Sequence, residues 1–267
     1  MQYELGFIGA GNMAEAIARA AVDHGVLDAS QIIAFDPAEN RRDAFASIGI
    51  QIATDNAAVI TQSKQILIAV KPQMMQDAAA DLAAHVTDDQ VIVSIMAGIT
   101  SSRLSDAVGK PLRVVRVMPN TPMLVGAGMA GIALGESAQN GDQDLAMKLF
   151  GAGGKAVTVD EPMIDTITAV SGSGPAYLFY LAEAMEEAAR QLGLGEHAEL
   201  LVSQTVLGAA KLLNESPDSA AELRRKVTSP KGTTEAAIKH LDGNKSTDVI
   251  INAIKAAHAR SIELGKN

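Results

Sequence analysis

The chain has 267 residues, 48% of them hydrophobic, which at roughly 100–200 residues per domain is enough for two domains with cores of their own. Thirty-one acidic residues against 22 basic ones give a formal charge of −9 with no basic run, which argues against binding a nucleic-acid backbone or an anionic membrane surface. Cysteine and tryptophan are absent and aromatics make up 3%, so disulfides, thiolate nucleophiles, zinc–thiolate and iron–sulfur sites are excluded and stacking platforms are poorly supplied.

No apolar stretch reaches the ~18–20 residues that span a bilayer. Glu4 lies inside the first apolar run, where a leader would carry a basic region and a cleavage site, so a cytoplasmic, unprocessed protein is expected. From Tyr3 to about Val159, short β-branched runs alternate with Ala-rich helical stretches. That pattern predicts an α/β half of parallel strands joined by crossover helices, a Rossmann-type doubly wound sheet. The first predicted strand, 3–8, runs directly into Gly9-Ala10-Gly11-Asn12-Met13-Ala14 and then an Ala-rich helix, which is the G-x-G-x-x-A dinucleotide fingerprint in its required strand–turn–helix context. Gly9 serves the tight turn, Gly11 lets the backbone approach a pyrophosphate facing the helix N–H groups, and Ala14 permits close helix–strand packing. Ile8, Gly9, Ala10, Gly11, Asn12 and Met13 are therefore expected cofactor contacts, the alternative being a tight turn without a ligand.

A second strand, 31–35, ends in Asp36-Pro37, about where an acidic residue accepts from the ribose hydroxyls of NAD. Arg41 and Arg42 follow within two turns and could reach a 2′-phosphate, so NAD and NADP both stay open; their alternative role is a solvated helix face. Asn56 reads equally as a helix cap or a cofactor contact. Strands 65–70 and 90–95 end in Lys71-Pro72 and Ala97-Gly98, at the carboxyl ends where doubly wound folds bind ligands, so Ala69, Val70, Lys71, Pro72, Ala97 and Gly98 are expected to line the cofactor. Strands 112–117, 131–134 and 156–159 complete the set, and Met118, Pro119 and Asn120 are expected to line the nicotinamide.

After Glu161 no strand-like run follows, and apolar residues recur at three- and four-residue spacing. Helices are predicted at 163–192 with an interruption near 172–175, then at 196–214, 219–227, 234–241 and 247–264. The expected division is a dinucleotide-binding domain at 1–159 and a helical domain at 160–267. In 178–185, 200–213 and 249–259 the apolar positions cover more than one stripe, which predicts a covering partner subunit, the alternative being the interior of a monomeric bundle. Ser171, Gly172, Ser173, Gly174 and Pro175 interrupt the first long helix and are expected to contact substrate; a proline-related kink is the alternative. Ser229, Gly232, Thr233 and Thr234 precede a helix start, where unpaired N–H groups and hydroxyls would receive a carboxylate; ordinary N-capping is the alternative. Histidines 24, 85, 197, 240 and 258 fall outside every motif, and Ser173 makes no nucleophile elbow because position 171 is Ser. No metal site is expected.

Val70-Lys71-Pro72-Gln73, Arg116-Val117-Met118-Pro119-Asn120-Thr121-Pro122, Val170-Ser171-Gly172-Ser173-Gly174-Pro175-Ala176-Tyr177 and Val227-Thr228-Ser229-Pro230-Lys231-Gly232-Thr233-Thr234, behind the fingerprint at 9–14, together resemble pyrroline-5-carboxylate reductase over nearly the whole chain. The resemblance implies hydride transfer from NADH or NADPH to the C=N carbon of 1-pyrroline-5-carboxylate, the last step of L-proline synthesis. It also implies a homodimer built through the helical half, with further assembly into a ring of dimers. Such a reaction needs the nicotinamide C4 near the imine carbon, a proton on nitrogen and a clamp for the carboxylate, but no nucleophile. Thr234 resembles the family threonine that hydrogen-bonds the ring nitrogen and is the expected catalytic residue. Where the family usually has two glycines after Ser-Pro, this chain has Lys231-Gly232. If that position requires positive φ, Lys strains the loop; its charge would equally attract a carboxylate.

Two rivals stand beside this reading. A β-hydroxyacid dehydrogenase type of reductase places a lysine on the first long helix of its second domain to act on an alcohol proton. Here no lysine occurs between Lys155 and Lys211. A non-catalytic dinucleotide-binding dimer would bind cofactor without oxidising it.

Overall fold

The computed structural model of the chain describes residues 1–266; Asn267, the last residue of the expected second domain, lies outside the described residues. Eight strands form one sheet, β1 (Tyr3–Ile8), β2 (Ile32–Phe35), β3 (Gln51–Ile52), β4 (Ser63–Ile68), β5 (Val91–Ser94), β6 (Arg113–Met118), β7 (Gly128–Leu134) and β8 (Gly154–Thr158). Their order is β3-β2-β1-β4-β5-β6-β7-β8. The strand order reverses between β1 and β4, which places the loop after β1 at the switch point of a doubly wound sheet.

Alternation along the strands explains why both faces are covered. Leu5, Phe7, Leu67, Val91 and Val93 point into one apolar layer with Ala14, Ile17, Ala18 and Ala21 of α1 (Asn12–Asp23), Phe45 of α2 (Glu39–Ala46) and Leu149 and Phe150 of α6 (Asp144–Ala152). Ile8, Ile66, Ile68 and Ile92 point the other way, onto Val59 and Ile60 of α3 (Asn56–Gln62), Leu82 of α4 (Met75–His85) and Leu104 of α5 (Ser101–Val108). Phe7 meets Phe45 edge to face at 5.4 Å between ring centres.

Two features depart from the predicted sheet. Strand β7 pairs antiparallel with β6, because the connection contains only a short 3-10 turn at Thr121–Val125 and no crossover helix, which a parallel pairing requires. Strand β3 was not predicted; its two residues pair with Ile33 and Ala34 and are too few to show a period.

At the far end of the sheet, Arg113 of β6 forms a bidentate pair with Asp142, whose residue is 4% exposed, and Asp142 also accepts from Gln139 N–H at 2.8 Å. Burial is the largest influence on the Asp142 carboxyl and opposes ionisation. The Arg113 hydrogen bonds, the Gln139 amide and the Arg113 charge outweigh it and hold the carboxyl below its ordinary value. A depressed native value means that the stabilisation is present above the unfolded carboxylate range and is lost as pH falls through the native value. Asp142→Asn is therefore expected to lower stability at neutral pH by about 2–3 kcal/mol and to flatten the acid limb of a urea midpoint series taken below about pH 5; an unchanged acid limb would contradict it.

By compactness the chain divides into one unit of Met1–Ser173 with residues from Ala257 onward and another of Gly174–Ala256. The change from sheet to helix comes earlier, between Thr158 and the 3-10 turn at Glu161–Met163. The second unit contains α8 (Gly174–Gln191), α9 (Ala198–Glu215), α10 (Ala220–Lys226), α11 (Thr233–Gly243) and the first half of α12 (Ser246–Lys266). Within it only Ala189, Ala198 and Val202 are buried. Leu178, Phe179, Tyr180 and Leu181 are exposed in succession, as are Leu200, Leu201, Val249, Ile250 and Ile251. A single chain therefore provides no bundle interior for these residues, contrary to the monomeric alternative. Among the described residues no helix is long and apolar enough to cross a membrane.

Candidate active site

The loop after β1 carries the first group of expected residues. Gly9 has φ +90°, and a Cβ there would stand 3.0 Å from both Ala69 O and Val70 Cγ1, so glycine is needed for both the turn and the close approach. Gly11 is the N-cap of α1; a Cβ on it would meet nothing within 4 Å, and no side chain caps the helix. The result is an open cradle facing the free N–H groups of a helix start, which fits a pyrophosphate.

Asp36 is tied to that turn. Its carboxylate accepts from Ala10 N–H at 2.8 Å and from Ala38 N–H at 2.9 Å, so it links the first turn to the end of β2. Arg41 donates Nε to Ala10 O at 2.7 Å and pairs with Glu15 at 3.0 Å, while Arg42 donates to the carbonyls of Asp36 and Pro37 at 2.8 Å. Neither arginine is the free solvated face that spacing allowed. Both guanidinium groups are engaged on the backbone around Asp36 and Ala10.

The neighbouring strand ends carry the next group. Ala69 N–H still donates to Ile8 O at 2.9 Å before Pro72 opens a 3-10 turn at Pro72–Met74, with Lys71 exposed ahead of it. Asn56 is not the cap of α3: Asp55 accepts from Ala58 N–H, and Asn56 gives its amide to Asp81 at 2.7 Å. Ala97 and Gly98 turn the chain after β5, with Gly98 buried at φ +77°.

The expected break in the first long helix is a π turn. Residues Thr168–Gly172 form it between α7 (Ile164–Ile167) and α8, and Ser173 N–H donates to Thr168 O at 2.8 Å, five residues back. Pro175 sits in the first turn of α8, where its missing N–H costs nothing, so it does not cause the interruption. The π turn is held to the sheet by Asn120, whose Nδ2 donates to Ser171 O at 3.0 Å while its Oδ1 accepts from Met129 N–H at 2.8 Å. Gly172 leaves room for Met118: a Cβ would stand 2.7 Å from Met118 Cε. Met118, Pro119, Asn120, Ser171, Gly172 and Ser173 are thus brought together in one unit, and the Asn120 amide is engaged in building it. One-turn π bulges often mark functional positions.

A buried cluster beneath this turn was missed. Arg116, 2% exposed, pairs with Asp165 at 3.3 Å and approaches Glu161 at 3.7 Å, and Glu161 accepts from Ser101 N–H at 2.7 Å. The available signal was one charged residue inside the otherwise apolar segment Val114-Val115-Arg116-Val117, which is costly in a central strand unless the charge is paired.

The helical unit holds the remaining residues, Gly174, Pro175, Ser229, Gly232, Thr233 and Thr234. Gly232 is the N-cap of α11, Ala236 N–H to Gly232 O closes the first turn, and no side chain caps it. The N–H groups of Thr233, Thr234 and Glu235 precede that first bond and have no helical acceptor. Ser229 lies against Gly232, where a Cβ would stand 2.4 Å from Ser229 Oγ. Lys231 does occupy the left-handed region, at φ +62°, so this is a position that costs Lys strain. Its N–H donates to Glu235 at 2.5 Å. Glu235 is held below its ordinary carboxyl range, first by the Lys239 hydrogen bond and then by the Lys231 amide. Among the described residues there is no cluster of His, Asp and Glu that could hold a metal.

A doubly wound sheet with a glycine cradle at its switch point and an acidic residue directly after the second strand has the form of a dinucleotide-binding domain, the class in which NAD(P)-dependent oxidoreductases hold their cofactor. Residues 161–264 match the family described as pyrroline-5-carboxylate reductase dimerisation, and residues 4–98 match that described as NADP oxidoreductase, coenzyme F420-dependent. The chain is 43% identical over 265 residues to pyrroline-5-carboxylate reductase of Pseudomonas aeruginosa, covering 98% of this chain and 97% of the relative, and 41% identical over 263 residues to that of Pisum sativum, covering 98% and 96%. Its structure is similar to that of a pyrroline-5-carboxylate reductase from Coxiella burnetii, with a TM-score of 0.91, 38% identity and 100% of each chain covered. The chain belongs to the pyrroline-5-carboxylate reductase family.

Proposed function

We propose that this protein is a cytoplasmic pyrroline-5-carboxylate reductase that reduces the C=N bond of 1-pyrroline-5-carboxylate with NADH or NADPH to give L-proline, acting as a homodimer. The observation that carries the reading is agreement along the whole length, at 43% identity with a relative of that name, in a chain whose cradle at Gly9 fits a dinucleotide. Residues 1–159 bind the dinucleotide, and residues 160–267 supply the dimer face and the substrate contacts. When bound, the reduced nicotinamide supplies the hydride.

The chain's own residues position and neutralise. The turn at 8–13 holds the pyrophosphate, Asp36 the ribose end, and residues 69–72, 97–98 and 118–120 line the rest. The unused N–H groups of Thr233 and Thr234 with the Ser229 hydroxyl take the substrate carboxylate, where the positive end of α11 favours it. The Thr234 hydroxyl orients the ring nitrogen and relays its proton from water, and Ser171, Gly172, Ser173, Gly174 and Pro175 are further substrate contacts. The absence of lysine between Lys155 and Lys211 supports an imine over an alcohol, since the β-hydroxyacid dehydrogenase type places its lysine base on that helix.

The test is loss of reduced-nicotinamide absorbance with 1-pyrroline-5-carboxylate and NADH or NADPH at equal concentration; no oxidation with either overturns the reading. In the same assay Thr234→Ala is expected to lower kcat/KM for the imine roughly 10- to 100-fold with the cofactor KM unmoved, and unchanged kcat and KM would remove Thr234 from the mechanism.

A further inference from the structure

The last turns of α12 pack with the sheet unit, where two separate contacts hold them. Ser261, 2% exposed, donates its hydroxyl to Asp165 Oδ1 at 2.7 Å, the oxygen that also pairs with Arg116 at 3.3 Å. One turn further on, Leu264 lies against the β5–α5 loop: a Cβ on Gly98 would stand 2.8 Å from Leu264 Cβ and 3.3 Å from its carbonyl carbon. A Cβ on Gly265 would in turn stand 2.9 Å from Gly98 O. Arg103, in the first turn of α5, donates Nη1 to Leu264 O at 2.9 Å and to Gly265 O at 3.4 Å. These carbonyls lie in the last described turn of α12, where a cation meets the negative direction of the helix dipole.

Both contacts end on segments that face ligand in the reading above. Gly98 belongs to the loop after β5. Asp165 stands at the base of the π turn that Asn120 and Met118 fasten to the sheet. Met96 and Ile99 anchor the two shoulders of the loop in the core, but the backbone between them has only the long Ile99 N–H to Met96 O bond at 3.3 Å, and Gly98 is free of the side-chain constraints that would restrict it. Its outer wall is the last turn of α12.

We propose that the C-terminal turns of α12 are a strap that sets the β5–α5 loop for the nicotinamide cofactor, with Arg103 and Ser261 as positioning residues. The proposal rests on the functional reading only for what the loop binds; the mechanical part stands on contacts within one unit. Helix ends fray first, so the outer side of the loop depends on the turn that walls it, and Arg103 adds charge-assisted hydrogen bonds to the Leu264 packing that docks that turn.

The test measures amide hydrogen exchange and NAD(P)H binding by the intact chain carrying Arg103→Met, Arg103→Lys or Ser261→Ala. Arg103→Met is expected to speed exchange at residues 97–100 roughly 3- to 10-fold and to raise the NAD(P)H KM in similar proportion with a smaller change in kcat. Arg103→Lys should restore part of both, because it returns a cation to the carbonyls. Ser261→Ala should speed exchange at residues 165–173. Unchanged exchange at 97–100 in Arg103→Met overturns the strap, and faster exchange with unmoved cofactor constants overturns its positioning role. If the unsubstituted chain binds no NAD(P)H, the functional reading fails, while the exchange comparison still decides the strap.

Discussion

Gly9→Ala is expected to cost NAD(P)H affinity about 100-fold, or roughly 2.7 kcal/mol, in a fluorescence titration of the reduced cofactor. Two effects act together at this position. At φ +90° an L side chain is strained by about 1–2 kcal/mol, and its Cβ would stand 3.0 Å from Ala69 O, tighter than an ordinary contact, so the turn has to shift. The shift moves Ala10, whose N–H is held by Asp36, and with it the start of α1, where the free N–H groups converge. The loss should therefore be larger in binding than in stability, with urea unfolding showing about 1–2 kcal/mol. Equal affinity for the variant and the parent chain would remove the turn from the cofactor site.

Phe179→Asp is expected to break the assembly. Phe179 is 64% exposed in the single chain, between Leu178 and Tyr180, which are also exposed. Covering the exposed part of a phenylalanine removes roughly 100 Å² of apolar surface from water, about 2.5 kcal/mol, and an uncompensated carboxylate in the same place adds several kcal/mol against association. Sedimentation should show the parent as a dimer, or as a ring of dimers if assembly continues, and Phe179→Asp as single chains with activity lost alongside. A variant of unchanged mass would place Phe179 outside the interface. Single chains should also be marginal in stability, since their helical unit buries only Ala189, Ala198 and Val202.

What could be read from residue order alone were local devices whose physics is completed within a few residues. The strand 3–8 with its glycine turn, the consecutive apolar positions of β4 and β5 that mark strands covered on both faces, and the helical period after Glu161 each state their structure locally, because backbone sterics and side-chain period act at short range. The excess apolar surface of 178–185 was equally legible, since a helix whose apolar positions cover more than one stripe needs a cover whatever its fold. Tertiary structure alone decided the rest: that β7 turns back antiparallel, that the helix break at 168–172 is a π turn and owes nothing to Pro175, that Asn56 and Asn120 spend their amides on Asp81 and on Ser171 and Met129, and that Arg116 is paired from beneath by Asp165. The return of Ser261 and Leu264 to residues 165 and 98 belongs with these, because contacts between positions about 100 to 170 residues apart leave no period or spacing in the chain and are made only when its ends are folded together.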